Sequence, residues 1–248
     1  MKVTRLLMAG ILCAGTMMPA MAQFSGVAGG RNSSVPKVFP KSYNRFSVGY
    51  NANLLSGDRS GIWLKDEDAK ADDGMTLHGF ALQYTHGFGL SKAYPMYIEV
   101  GARLGMGFYS SSIESKYEGY DAEMKGSLTS LNLTVPVNFA YRFGVGEGLA
   151  ITPYTGLHLK ANILANYKQT LSLSDDYDYA DDDDTISLFD KDDVGKDNAW
   201  ARVQFGWQIG AGLSYKAFYF GLEYGLDFNN LYKKCMSSDL TVSVGLNF

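Results

Sequence analysis

The sequence predicts an all-β fold, an eight-stranded antiparallel up-and-down transmembrane β-barrel, from three observations. Segments of apolar/polar alternation recur along the chain. The polar face of those segments is rich in Gly, Asn, Ser and Gln, and the connections between them alternate short and long. Composition agrees: 28 Gly, 14% aromatic and 19% charged residues depart from the roughly 25% charge of soluble domains. The formal net charge of -4 gives no electrostatic footprint for nucleic acid.

From the N-terminus, Lys2 and Arg5 precede an apolar run from Leu6 to Met18, and Ala20-Met21-Ala22 has the small-x-small pattern that signal peptidase cleaves. Residues 1-22 are expected to be a cleaved signal peptide. The run is short against the ~20 residues of a spanning helix. Leu12, before Cys13, is too bulky for a lipid-attachment site. The mature chain then has one cysteine, Cys235, and no intrachain disulfide. Residues 23-42, with Gly, Ser, Pro and scattered cations, read as a flexible periplasmic lead-in to a barrel over 43-248.

The first strand, Arg45 to Leu54, alternates without error: Phe46, Val48, Tyr50, Ala52 and Leu54 against Arg45, Ser47, Gly49, Asn51 and Asn53. Leu77 to Phe88 follows, and then Met96 to Phe108, which is longer than soluble sheets ordinarily use. Leu128 to Phe143, Leu149 to Ala165, Arg202 to Tyr215, Phe218 to Phe228 and Leu240 to Phe248 complete the set. A soluble sandwich would carry Lys, Glu and Thr on its outer faces; small amides and glycines suit the crowded inside of a narrow closed sheet. Pro136, on the inward face of its strand, is expected to make a bulge or kink.

The gaps Gly89 to Pro95, Gly144 to Gly148 and Lys216 to Ala217 are short, whereas Leu55 to Thr76, Tyr109 to Ser127, Asn166 to Ala201 and Asn229 to Asp239 are longer. Short periplasmic turns and long external loops are the outer-membrane pattern, with both termini periplasmic. Tyr43, Phe88, Tyr94, Phe108, Tyr141, Phe143, Tyr215, Phe218 and Phe248 lie near strand ends, as interfacial girdles require.

Chemistry would have to sit in the lumen. Parity places Arg45, Glu99, Arg103, His158, Lys160, Arg202, Glu223 and Asp227 inward, as a mutually neutralising charge network. That network reads as a salt-bridged plug or, alternatively, as a narrow conducting path. An eight-strand barrel is filled by its own side chains, which excludes general diffusion through a monomer. Catalysis would need a nucleophile or activated water beside a histidine and a carboxylate. His78 and His86 point to the lipid side while His158 points inward, and no Gly-x-Ser-x-Gly elbow or zinc spacing is present. No enzyme activity, cofactor or metal is expected. Between Asn166 and Ala201 lie eleven Asp offset by Lys168, Lys191 and Lys196, without EF-hand spacing, which reads as a solvated, self-repelling external loop.

Thr129 to Val137 (Thr-Ser-Leu-Asn-Leu-Thr-Val-Pro-Val) followed by Asn138 to Phe143 (Asn-Phe-Ala-Tyr-Arg-Phe) resembles a strand of the Bacteroidota-type outer-membrane β-barrel (porin-like) family. Gly206 to Tyr215, Phe220 to Leu226 and Leu246-Asn247-Phe248 extend the resemblance over the mature chain. It implies an outer-membrane barrel with a structural, envelope or restricted-permeation role. The alternatives are a surface interaction or adhesion protein acting through its acidic loops, or the accessory barrel of a secretion system. Expected partners are outer-membrane lipid, lipopolysaccharide and the barrel-assembly machinery, which would read Phe248, with the chain a monomer.

Overall fold

Alternating residues can bury one face only if the sheet packs on something or closes on itself, and this sheet closes. The computed structural model describes residues 40–57, 75–117, 120–146, 148–173 and 182–248. The expected signal peptide, nearly all of the lead-in and most of the first external loop lie outside the described residues, as do Asp175, Asp176, Asp178 and Asp181.

The strands are β1 (Ser42–Gly57), β2 (Met75–Gly89), β3 (Met96–Tyr117), β4 (Tyr120–Tyr141), β5 (Phe143–Gly146), β6 (Leu149–Leu173), β7 (Asp182–Ser187), β8 (Val203–Tyr215), β9 (Phe218–Asp227) and β10 (Cys235–Asn247), with one short helix α1 (Lys191–Val194) before β8. Each ring strand pairs antiparallel with the next, β4 pairs β6, β6 pairs β8, and β10 returns to β1, so eight strands form a closed ring. Closure leaves the ring no edge strand. β5 and β7 are short additions that pair only with β6.

The faces divide as the alternation requires. Outside, Phe80, Leu82, Leu104, Met106, Val135, Val137, Leu157, Leu159, Phe205, Ile209, Phe220, Leu222 and Val244 are exposed, an apolar belt suited to lipid. Inside, Arg, Lys, Glu, Asp, Asn and Gln side chains are buried. Leu104 faces out while its neighbour Gly105 is buried. Tyr43 shares parity with Arg45 and is buried in the lumen, so it does not belong to the interfacial girdle expected of it.

Three features depart from the sequence expectation. Pro136 interrupts the β3–β4 ladder without shifting it, since Val100 faces Val137 and Arg103 faces Thr134 in one register. The bulge lies elsewhere, where Leu131 faces Leu164 but Asn132 faces Asn162, making Ile163 the extra residue. Below it the even positions of β6 turn inward (His158, Lys160); above it the odd ones do (Ala165, Tyr167). Next, the second long connection is mostly strand: β3 and β4 stay paired up to Tyr117 and Tyr120. β2 pairs β3 only as far as Phe108, so β3, β4 and β6 stand above the rest of the ring as a wall. From Phe108 to Tyr117 this is roughly 30 Å along the strand.

The third departure is the acidic segment, whose described part is built rather than simply solvated. β7 takes over β6 where β8 ends, and the chain then crosses the barrel mouth. Leu188, Val194 and Trp200 are buried there against Leu55, Met75, Leu77, Leu128, Tyr167, Leu231, Tyr232 and Cys235. Asp190, Asp192, Asp193 and Asp197 remain exposed on its outer side. Trp200 stacks on Tyr232 at 6.4 Å, and backbone bonds from Trp200 to Leu188 and from Ala201 to Leu231 hold the crossing. The mouth thus carries an apolar cap.

Candidate functional site

Strand pairing fixes which inward side chains share a level, and the lumen is a stack of such levels. At the end bearing the short turns, Tyr43 donates to Glu99, and Arg45 Nη2 lies 3.2 Å from the other Glu99 oxygen. The Arg45 guanidinium also covers the Tyr219 ring at 4.2 Å. Tyr43, Tyr97, Ala140 and Tyr154 pack together here, the first two edge to face at 5.1 Å.

One level up, Arg103 pairs with Glu223 across the barrel. The second Glu223 oxygen accepts from Tyr154 at 3.0 Å and from Gln208 at 3.3 Å, and Gln208 also donates to Asn138 at 2.9 Å. Above that, Asp227 is shared by His158 Nε2 at 2.7 Å, Lys160 Nζ at 2.5 Å and the Ser237 hydroxyl. Lys160 also reaches Asp239 at 2.7 Å, whose other oxygen accepts from Asn53 at 2.7 Å. Gln204 and Asn162 then lead to the cap.

Glycines make room for this. A Cβ at Gly206 would stand 2.7 Å from the His158 ring, so glycine lets the imidazole lie along the wall and reach Asp227. Gly210 likewise admits Tyr154 on its way to Glu223.

Of the eight charge-network residues read from the sequence, Arg45, Glu99, Arg103, His158, Lys160, Glu223 and Asp227 are buried in the lumen. Arg202 is not. It is exposed, one residue before β8 begins, and its guanidinium lies over Phe189 at 3.9 Å, so strand parity does not govern it. Asp239, assigned from the sequence to a loop, lies inside β10 and pairs with Lys160. The network therefore holds three permanent cations and four carboxylates with His158 among them. Extending the alternation of Thr241 and Ser243 back through Asp239 and Ser237 was the signal available for it.

His78 and His86 face outward: His78 Nδ1 bonds Tyr50, and His86 Nδ1 lies 2.7 Å from Asn44. Phe248 exchanges backbone bonds with Asn44, closing the ring at the base of β1.

The family described as "Outer membrane protein beta-barrel domain" matches residues 22–232. No curated protein matches the chain. Among solved structures, the chain is similar to Ail, the attachment invasion locus protein of Yersinia pestis, in complex with a heparin analogue, at 13% identity and TM-score 0.42, covering 84% of this chain and 100% of that one. It is also similar to Neisserial surface protein A at 10% identity and TM-score 0.38, covering 84% and 96%. The N-terminal barrel domain of Pseudomonas aeruginosa OprF stands at 19% identity and TM-score 0.24, covering 84% and 98%.

Proposed function

The chain belongs to the outer membrane protein beta-barrel domain family, and on that premise we propose that it is a closed, structural barrel of the outer membrane. The observation that supports this is the filled interior. Three levels of buried ion pairs lie between a tyrosine cluster at one end and an apolar cap at the other. A water-filled solute path would leave these side chains hydrated; here Glu99, Lys160, Asp227 and Gln208 are almost wholly buried. The ionisable groups are spent on each other, which favours a non-enzymatic role.

The short connections gather at the end with Ser42 and Phe248, which supports periplasmic termini and an external wall. The lead-in is taken to run over residues 23-42 behind a signal peptide of 1-22. Phe248 is the signal read by the assembly machinery, the exposed belt contacts lipid and lipopolysaccharide, and the Val135-Pro136-Val137 strand favours the Bacteroidota-type branch of the family. A second reading, surface interaction, is favoured by the wall of β3, β4, β6 and β7 above the mouth.

Swelling of proteoliposomes in small sugars tests the closed barrel. The rate should equal that of protein-free vesicles; rapid swelling in a pentose would overturn it.

A further inference from the structure

Among the buried polar atoms of the described residues that have no hydrogen-bond partner, which include Arg45 Nε and Tyr97 Oη, two belong to lumen side chains that flank one position. His158 Nδ1 is one: its ring gives Nε2 to Asp227, and the side chain is fully buried. Gln208 Oε1 is the other, fixed by its amide nitrogen donating to Asn138 and to Glu223, a carboxylate that can only accept. Between these side chains stands Gly225, paired with Gln208 across β8 and β9. A Cβ at Gly225 would meet His158 Cε1 at 3.5 Å, and His158 Nδ1 and Gln208 Cβ at 3.9 Å each, ordinary contact distances. The neighbouring Gly206 and Gly210 positions are instead filled by the His158 and Tyr154 side chains. Gly225 therefore leaves room where two polar atoms need a partner.

Gln208 Oε1 needs a donor, and His158 Nδ1 accepts when Nε2 carries the proton for Asp227. One small molecule able to donate twice serves both, and it can equally accept from Nδ1 if that nitrogen is protonated. We infer that a single buried water molecule beside Gly225 bridges His158 Nδ1 and Gln208 Oε1. It joins the Lys160–Asp227–Asp239 cluster to the Arg103–Glu223 cluster, making these two charged levels one hydrogen-bonded unit. The site lies inside the closed lumen proposed above, and the two can fail separately, since solute entry reports the lumen and the tests below report one water.

The sign of a stability change tests the site. In a dry gap a methyl group would fill space and remove a strand glycine, so Gly225→Ala would raise the melting temperature in detergent. In a hydrated site the methyl displaces the water and orphans both polar atoms, so Gly225→Ala should lower it by about 5 °C. Gly225→Ser, whose hydroxyl can stand in for the water, should recover part of that loss. A crystal structure at high resolution should show a solvent peak about 2.6–3.2 Å from both atoms. A raised melting temperature for Gly225→Ala, a direct His158–Gln208 bond with no peak, or an anomalous thallium signal marking an alkali cation would each overturn the water site.

Discussion

From Arg45 up to Asp239 the barrel interior is held by charges, whereas at the capped mouth the same inward-facing positions carry Leu55, Met75, Leu77 and Leu128. Both regions exclude bulk water, by opposite means. The charged levels are stable only as complete sets, because each buried ion has surrendered its hydration and depends on its partner. The cap depends on area, and it weakens in proportion to what is removed. The cap also serves the charges, because attraction between Lys160 and its two aspartates grows as bulk water is kept away. Closure at the mouth and pairing in the lumen are thus coupled, and substitutions in the two regions should fail differently.

The largest effect is expected in the charged middle. Glu223→Ala strands Arg103 and removes the acceptor of Tyr154 and Gln208, which should cost about 3–5 kcal/mol in thermal or denaturant unfolding from detergent. Arg103→Glu combined with Glu223→Arg should recover part of it, a coupling that a double-mutant cycle isolates. Strict additivity of the single variants would show that the two groups are separately hydrated.

In the cap, Trp200→Ala should cost about 3 kcal/mol and loosen the roof without dismantling the ion pairs. Cys235, wholly buried beneath it, reports this directly: a membrane-impermeant maleimide should leave the native protein unlabelled and react with the variant. Equal labelling of both proteins would place the cap outside the account.

Leu104→Arg probes the outer wall, where a cation near the bilayer midplane costs about 2–4 kcal/mol, read as lost folding into vesicles. A fluorophore on Cys at 104 should be quenched by lipid-borne probes and one at 105 should not. The reverse pattern would invert the two faces. The smallest effect belongs to Asn53→Ala, which removes one hydrogen bond to Asp239 and should cost about 1 kcal/mol.

Which face each lumen residue takes was legible because period two leaves no choice within a strand; Arg45, Glu99, Arg103, His158, Lys160, Glu223 and Asp227 follow from it. The same rule misplaced Arg202 by running one residue beyond the start of β8, and it missed Asp239 because the polar run Ser237-Ser238-Asp239 resembles a loop. Pairing was not legible. Arg103 and Glu223 are 120 positions apart, and their meeting depends on the stagger of all eight strands, a property of closure. The cap was not legible because Leu188, Val194 and Trp200 stand six residues apart in an acidic stretch, too sparse to show the alternation of a strand or the apolar stripe of a helix.

Single-channel recording of the purified protein in planar bilayers tests the closed lumen most directly. Filled levels between the tyrosine cluster and the apolar cap predict no resolvable steps at neutral pH and moderate voltage, with steps appearing when Trp200→Ala is combined with Glu223→Ala. Steady ohmic conductance from the unmodified protein would contradict the account.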